Sequence, residues 1–171
     1  MTLKVIECFS GIGALSKALK NLGIDYEIVD AIEIDKYAIA SFNAIHGTDF
    51  PPQDITKWDK DIKADLVAGG FPCQDISVAG RGAGIVKGET RSGLMYELMR
   101  IIEKVQPKYV LAENVKNILS KKHNPQLKVF LRFLSEQGYS VTMDMLNAKD
   151  YGIPQNRERV YILGVKNVED K

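Results

Sequence analysis

Short apolar segments alternate along this chain with segments whose apolar residues recur at helical spacing, and this alternation restricts the possible folds more than any other feature. The predicted strands span residues 4–8, 27–32, 65–68, 108–112, 139–146 and 159–165, with a further short edge strand at 53–56. The predicted helices span residues 14–22, 37–45, 94–105 and 126–136. Strands that alternate with helices favour a doubly wound α/β fold, in which a mostly parallel sheet carries helices on both faces.

The length and composition predict a single domain over residues 1–171, because 45% apolar residues are enough to bury a sizeable core. Apolar runs all fall short of the roughly 18 residues that a membrane span needs, and Glu7 interrupts the N-terminal apolar segment, unlike a signal peptide. The two cysteines, Cys8 and Cys73, make neither a disulfide framework nor a zinc-binding set. We therefore expect a cytoplasmic protein that binds no metal.

The charge balance limits how this chain could contact nucleic acid. It has 23 basic and 22 acidic residues and a net charge of +1, whereas a protein that binds nucleic acid over a broad surface is usually far more basic. Any such contact is therefore expected to be local, or to be supplied from outside this chain.

Candidate cofactor-binding residues follow the strands at their carboxyl ends, where ligands bind in sheets of this kind. The glycines of Phe9–Gly13 let backbone amides approach an anionic group, although Ser16 occupies the place of the third glycine of a dinucleotide fingerprint. Glu33, 20 residues after Gly13, suits ribose hydroxyls, and Asp54 suits an adenine amino group. Each feature alone is as consistent with a turn or a solvated acid. Together they predict a cofactor that contains a nucleoside.

Cys73 lies in a tight turn after a predicted buried strand and before a glycine-rich stretch. An accessible thiol near a helix dipole or basic groups has a lowered pKa and becomes a nucleophile. A lone cysteine is more often buried and inert, and this interpretation suits Cys8, which ends an apolar strand. Glycines and a proline surround Cys73, and a core residue does not need such surroundings. The pattern therefore predicts that Cys73 is a nucleophile.

Charged residues also follow later strands. Glu113 comes after the strand that ends at 112, at the same edge of the sheet as Cys73, where a partly buried carboxyl group can act as a general acid. Arg157 and Arg159 alternate at the entry of the last strand and so share a face, on which they could bind a phosphate or fix a base. Taken singly, a helix-capping acid and a solvated strand end are the commoner interpretations.

The order of these motifs resembles that of the DNA (cytosine-5)-methyltransferase family over essentially the whole chain. The matching segments are Phe9–Gly13, Glu33, Asp54–Ile55, Phe71–Gln74, Glu113–Val115 and Asn147–Arg159. Pro-Cys-Gln followed by Glu-Asn-Val is highly specific. The resemblance implies the Rossmann-like fold of S-adenosylmethionine-dependent methyltransferases with an antiparallel last strand, and it implies double-stranded DNA as the substrate.

The resemblance also implies a role for each candidate residue. Cys73 would attack C6 of a cytosine flipped out of the duplex, Glu113 would donate a proton to the base edge, and Arg157 and Arg159 would hold the base. The residues implied to bind S-adenosylmethionine are Phe9, Gly11, Ile12, Gly13, Glu33, Asp54, Ile55 and Leu94. The residues implied to contact DNA, in a loop that closes on it, are Gln74, Ser77, Arg81, Lys87 and Arg91.

The chain departs from the family pattern in two places. Ile34 stands where an aromatic residue often follows the acid at Glu33, and the sequence stops at Lys171 without the target-recognition domain and final helix of complete members. We therefore expect part of a split enzyme that works with a second chain, a truncated product or a fragment. A transfer RNA cytosine-5 methyltransferase and a non-catalytic fragment that binds a partner are the main alternatives. A nicotinamide dehydrogenase is a distant one.

Overall fold

The computed structural model describes residues 1–72 and 93–167, which form an α/β structure around one six-stranded sheet. The strands are β1 (Leu3–Cys8), β2 (Tyr26–Ile32), β3 (Leu66–Gly69), β4 (Tyr109–Val115), β5 (Tyr139–Asn147) and β6 (Glu158–Lys166). The helices are α1 (Ala14–Asn21), α2 (Lys36–His46), α3 (Gly93–Val105) and α4 (Asn124–Glu136). The strand order is β2-β1-β3-β4-β6-β5. Strands β1 to β4 are parallel and β6 is antiparallel to both neighbours, which confirms the predicted sheet.

Two predicted boundaries were wrong. Residues 53–56 do not form an edge strand, because the Asp54 side chain accepts a hydrogen bond from the Thr56 backbone N–H and caps a 3₁₀ helix at Ile55–Lys57. Strand β4 does not end at residue 112, because β6 pairs with it through Val115. Glu113 therefore lies inside a strand and not after one, so its side chain is fixed on one face of the sheet.

Helices cover the two faces of the sheet unequally. On one face α3 and α4 contribute to the main core and pack against side chains from all six strands. The apolar side chains that α3 and α4 bury in this core are Met95, Leu98, Ile101, Ile102, Leu127, Phe130 and Leu134. On the opposite face, α1 packs over β1 and β3 through Leu19, and α2 packs on β2 through Ile39 and Phe42. The prediction of helices on both faces is confirmed.

The side chains of strand β6 show this unequal coverage of the two faces of the sheet. Val160 and Ile162 point to the α3–α4 face and are 0% and 1% exposed. Leu163 and Val165 point to the other face and are 41% and 40% exposed. Burial of apolar side chains is the main favourable contribution to folding, so β6 is stabilised mainly by packing on its α3–α4 face. Within residues 1–72 and 93–167, the structure contains no helix long and apolar enough to cross a membrane.

Candidate active site

The loop between β1 and α1 turns sharply beneath the carboxyl edge of the sheet. Phe9, Gly11 and Gly13 have positive φ angles of 54°, 54° and 84°, so the loop needs two glycines and holds Phe9 in a conformation that side-chain-bearing residues rarely adopt. A Cβ atom at Gly13 would lie 2.1 Å from Nε2 of His46, which itself lies 3.2 Å from the Ile12 carbonyl oxygen. Helix α2 therefore packs directly against this loop and fixes its path.

Glu33 connects the β1–α1 loop to the segment that follows β2. One carboxylate oxygen accepts a hydrogen bond of 3.0 Å from the Gly11 backbone N–H, and the other accepts one of 2.9 Å from the Asp35 backbone N–H. The Glu33 carbonyl oxygen accepts a hydrogen bond of 2.7 Å from the Gln53 backbone N–H, and Asp54 is the next residue. The structure thus brings together the glycine loop, Glu33 and the start of the Asp54–Ile55 segment, as the sequence predicted.

Asp54 is held as an acceptor. Its Oδ1 accepts hydrogen bonds from the hydroxyl and the backbone N–H of Thr56, at 2.7 and 3.0 Å, and these bonds lower the pKa of Asp54 below its usual value. Ile55 is buried beside it, whereas Ile34 is 69% exposed at the same edge of the sheet. Leu94, in the first turn of α3, packs against the main core. An ionised, partly exposed carboxylate next to an apolar surface suits an aromatic ring that carries an amino group.

A buried polar pair beneath the loop was missed in the sequence. Glu7 is 4% exposed and accepts hydrogen bonds from the Ser16 hydroxyl, at 2.6 Å, and from the Ser16 backbone N–H, at 3.3 Å. Burial raises the pKa of Glu7, and the hydrogen bonds from Ser16 oppose that rise. The signal was available in principle, because Glu7 is an acid inside an apolar strand and Ser16 occupies the place of the third glycine in a dinucleotide fingerprint.

Glu113, Arg157 and Arg159 form one cluster at the carboxyl end of β4. Glu113 pairs with Tyr161 across the β4–β6 ladder and Arg159 pairs with Val115, so Glu113 and Arg159 are diagonal neighbours on one face. Oε1 of Glu113 lies 2.8 Å from Nε of Arg159 and 3.9 Å from Nη2 of Arg157. The two arginines do share a face, and that face is the one that carries Glu113.

The other oxygen of Glu113 lies against the segment that leads to Cys73. A Cβ atom at Gly70 would lie 2.8 Å from Oε2 of Glu113, so a side chain at position 70 would displace the Glu113 carboxylate from this place. Asn114 is 3% exposed, and its Nδ2 donates a hydrogen bond of 3.1 Å to the Phe71 carbonyl oxygen. No separate role was predicted for Asn114, although an amide side chain inside an apolar strand indicates a buried hydrogen bond.

Several predicted site residues lie outside the described part of the chain. They are the proposed nucleophile Cys73 and the proposed DNA contacts Gln74, Ser77, Arg81, Lys87 and Arg91. The other cysteine, Cys8, is 1% exposed, and burial raises its pKa, so the prediction that this thiol is buried is confirmed.

One cavity of about 430 Å³ joins the glycine loop to the charged cluster. Phe9 and Ser10 line one side, Gly69 and Gly70 line the floor, and Glu113, Arg157 and Tyr161 line the other side. The hydroxyl of Ser10 is buried without a hydrogen-bond partner among the described residues. A buried hydroxyl of this kind usually has a partner, so its position at the cavity indicates a polar ligand group there.

The chain belongs to the C-5 cytosine-specific DNA methylase family, whose model matches residues 3–171. It is 42% identical over 168 residues to the orphan methyltransferase M.SPRI of Bacillus phage SPR, a match that covers 96% of this chain and 38% of the relative. It is 39% identical to the type II methyltransferase M.NlaX of Neisseria lactamica, over 96% of this chain and 52% of that protein. The chain thus spans about half or less of the length of these relatives.

A solved structure shows the same architecture. The crystal structure of Spodoptera frugiperda DNMT2 matches 99% of this chain with a TM-score of 0.82 and 25% sequence identity, and the match covers 51% of that protein. The family and the fold that the sequence motifs implied are therefore both confirmed.

Proposed function

We propose that this chain is the catalytic and cofactor-binding part of an enzyme that methylates C5 of cytosine in DNA through a covalent adduct of Cys73. The observation that supports this most directly is the single cavity lined by both the glycine loop and the Glu113 cluster. A methyl donor bound at the loop and a base bound at Glu113 would share one cavity. Proximity of this kind accounts for a large part of the acceleration of reactions between two bound molecules.

The described residues fit S-adenosylmethionine as the cofactor. The backbone of Phe9–Gly13, the unpartnered Ser10 hydroxyl and the cavity fit its amino-acid moiety, the Glu33 carboxylate fits the ribose, and Asp54 with Ile55 fits the adenine. When bound, the cofactor supplies an electrophilic methyl group. Glu33 would have to exchange its hydrogen bond with Gly11 for ribose hydroxyls, or share it with them.

The chain's own residues act on the base. The Cys73 thiolate forms a bond to C6 of a flipped cytosine, and N3 accepts a proton from Glu113 as electron density moves into the ring. Once C5 carries the methyl group, a general base would take the C5 proton as the bond between C6 and sulfur breaks, the Cys73 thiolate would leave, and N3 would return its proton to the Glu113 carboxylate. Arg159 fixes the Glu113 carboxyl group from one side, so that its second oxygen faces the Gly70 side and the incoming base.

Double-stranded DNA is the proposed substrate, and the charges near the site support it. From residue 115 to residue 135 the chain has five Lys or Arg residues and no Asp or Glu. Lys121 and Lys122 follow the carboxyl end of β4 and are exposed, whereas the exposed Lys116 beside them pairs with Glu158 at 2.9 Å. Cations at that edge would neutralise phosphates of a duplex whose base enters the cavity. These lysines would form the local basic surface that we expect for a nucleic-acid contact on a chain with a net charge of only +1.

We further propose that protein from outside these 171 residues completes the site, with a second chain as one way to supply it. The support is the half of the sheet on which Leu163 and Val165 remain 40% or more exposed, next to the cavity residue Tyr161. Sequence-specific methylation also requires contacts with base edges in a groove. The 171-residue chain alone is therefore expected to show little sequence-specific methylation and reduced cofactor affinity.

The test is covalent trapping on DNA that contains 5-fluorocytosine, because fluorine cannot leave C5 as a proton does. The chain is mixed with S-adenosylmethionine and with the remaining segment of a relative supplied as a second polypeptide. The wild type and Cys8→Ser should form a denaturation-resistant adduct, and Cys73→Ser should form none. Equal trapping by Cys73→Ser would refute the mechanism. A matched RNA duplex and a transfer RNA tested in parallel would refute DNA as the substrate if they were trapped preferentially.

A further inference from the structure

Asp30 is a fully buried carboxylate in β2, with 0% of its surface exposed. Its Oδ1 accepts hydrogen bonds from Nε2 of Gln53 at 2.7 Å and from Nζ of Lys60 at 3.0 Å, together with its neighbouring Ala31 backbone N–H. Its Oδ2 accepts a hydrogen bond of 2.7 Å from Nε1 of Trp58 and lies 2.9 Å from Nζ of Lys60. A buried charge needs such partners, because desolvation without them is very costly.

All three side chains that contact Asp30 belong to the segment 53–60, and they flank Asp54 and Ile55. Gln53 precedes this pair, and Trp58 and Lys60 follow it. The Gln53 side chain also donates a hydrogen bond of 2.8 Å to the Ala31 carbonyl oxygen. Beyond one short 3₁₀ turn and the backbone hydrogen bond from Gln53 to Glu33, the segment is positioned by side chains. Asp30 therefore holds it at both ends from a single point in the sheet.

Arg100 of α3 supplies a second attachment from the opposite direction. Its Nη1 donates 2.8 Å to the Trp58 carbonyl oxygen and its Nη2 donates 2.9 Å to the Ile55 carbonyl oxygen. The segment is thus attached to the central sheet through Asp30 and to a helix through Arg100. Two charged groups attach one short loop, and that loop carries the proposed adenine contacts.

We infer that Asp30 is a positioning residue for adenine recognition, which it controls by fixing the Asp54–Ile55 segment. This inference rests on the proposed function, because it assumes that the segment meets the adenine of S-adenosylmethionine. Asp54 accepts a hydrogen bond from the adenine amino group only if its carboxylate stays within about 3 Å of that group. A shift of the segment would weaken recognition of the amino group while leaving the ribose and amino-acid contacts in place.

The test compares two ligands of the 171-residue chain by calorimetry. They are S-adenosylhomocysteine and S-inosylhomocysteine, in which a carbonyl oxygen replaces the amino group and faces the Asp54 carboxylate. The wild type should prefer the adenine ligand by on the order of tenfold or more. In Asp30→Asn an amide N–H replaces one acceptor, so the network cannot be satisfied, and the preference should fall to about threefold or less.

The control is Asp59→Asn, in the same segment, where the aspartate is exposed and pairs with Lys104. It should keep the wild-type preference. Trp58→Phe removes the indole donor to Oδ2 and leaves Lys60 on that oxygen, with a smaller ring in the core, so it should lower the preference in the same direction and by less. Each variant is compared at a temperature where thermal melting shows it to be folded.

The outcomes separate this inference from the proposed function. If the wild type binds neither ligand even when the completing segment is supplied, the proposed function fails. If Asp30→Asn weakens both ligands by the same factor, Asp30 is only structural and the inference is wrong. The inference is also wrong if neither Asp30→Asn nor Trp58→Phe folds, because Asp30 is then a folding residue.

Discussion

The half of the sheet made by β1, β2 and β3 differs from the half made by β4, β6 and β5. The first half is covered on both faces, and its buried polar groups are paired, as in the Asp30 network and the Glu7–Ser16 pair. The second half is covered on one face, and its Glu113–Arg159 pair keeps 32% and 21% of its side-chain surface exposed. The half that carries the proposed cofactor contacts is thus covered on both faces (the finished half), whereas the half that carries the proposed base contacts is exposed on one face (the open half).

The largest expected effect is a loss of methyl transfer caused by a substitution in the open half of the sheet. Glu113→Gln keeps the shape of the side chain but cannot donate a carboxyl proton, so methyl transfer should fall by about 10²- to 10⁴-fold. Affinity for S-adenosylhomocysteine should change little, because the variant leaves the finished half intact. Single-turnover methyl transfer with the completed enzyme measures the first quantity and calorimetry measures the second. A parallel loss of both would show that the two halves are not separable.

The reciprocal change is Glu33→Ala in the finished half. Loss of a partly buried hydrogen-bonding group costs about 1–3 kcal/mol, so S-adenosylmethionine should bind roughly 5- to 150-fold more weakly. At saturating cofactor the rate of methyl transfer should recover. Titration of the cofactor against the transfer rate would reveal this, with the exposed Glu136→Gln as the control. Tighter binding of NAD than of S-adenosylmethionine by the wild type would instead overturn the cofactor assignment.

A pair of valines in β6 tests the two faces directly. Val160 is 0% exposed and Val165 is 40% exposed, so Val160→Ala should lower the free energy of unfolding by about 2 kcal/mol and Val165→Ala by less than about 1 kcal/mol. Urea unfolding of the 171-residue chain measures both. Addition of the completing segment should raise the cost of Val165→Ala, because that side chain would become buried. Equal costs in the isolated chain would mean that the second face is already covered.

The smallest expected effect is a pH dependence in the finished half. Burial raises the pKa of Glu7 from its model-compound value of 4.5. The Glu7 carboxyl group therefore contributes stability that is fully present below pH 4.5 and is lost as the pH rises through the folded-state pKa. Glu7→Gln stays neutral and keeps an acceptor for Ser16, so its stability relative to the wild type should increase as the pH is raised. Unfolding midpoints that move the other way would contradict this sign.

The sequence alone predicted the order of strands and helices, because the period of the apolar residues differs between them. It also predicted that Glu33, Asp54 and Glu113 lie towards the carboxyl edge, since the ends of parallel strands converge there. It missed the paired register that extends β4 through Val115, because pairing with β6 is a long-range contact. The predicted edge strand at residues 53–56 was wrong, since the side chain of Asp54 caps a 3₁₀ helix there and such a cap competes with strand formation.

Buried polar contacts were the least predictable part of the site. Asp30, Asn114 and Glu7 each lie in an apolar strand, where the sequence shows an unusual residue but not its partner. Their partners are between 9 and 43 residues away along the chain, at Ser16, Trp58 and Phe71. Only the folded structure brings them within hydrogen-bond distance. The motif resemblance predicted the residues that meet ligands, and the structure shows the hydrogen bonds of the buried polar residues behind them.

The position of β6 sets an order of events during synthesis. It lies between β4 and β5, although it leaves the ribosome after both. Among the described residues β5 pairs with no other strand, so its backbone has no partner in the sheet until β6 is inserted. Arg159 lies in β6, so Glu113 has this ion-pair partner only after β6 has been translated. A nascent chain that has just completed β5 therefore already contains the glycine loop and β1 to β4, but the Glu113–Arg159 pair forms only when the last strand has been translated.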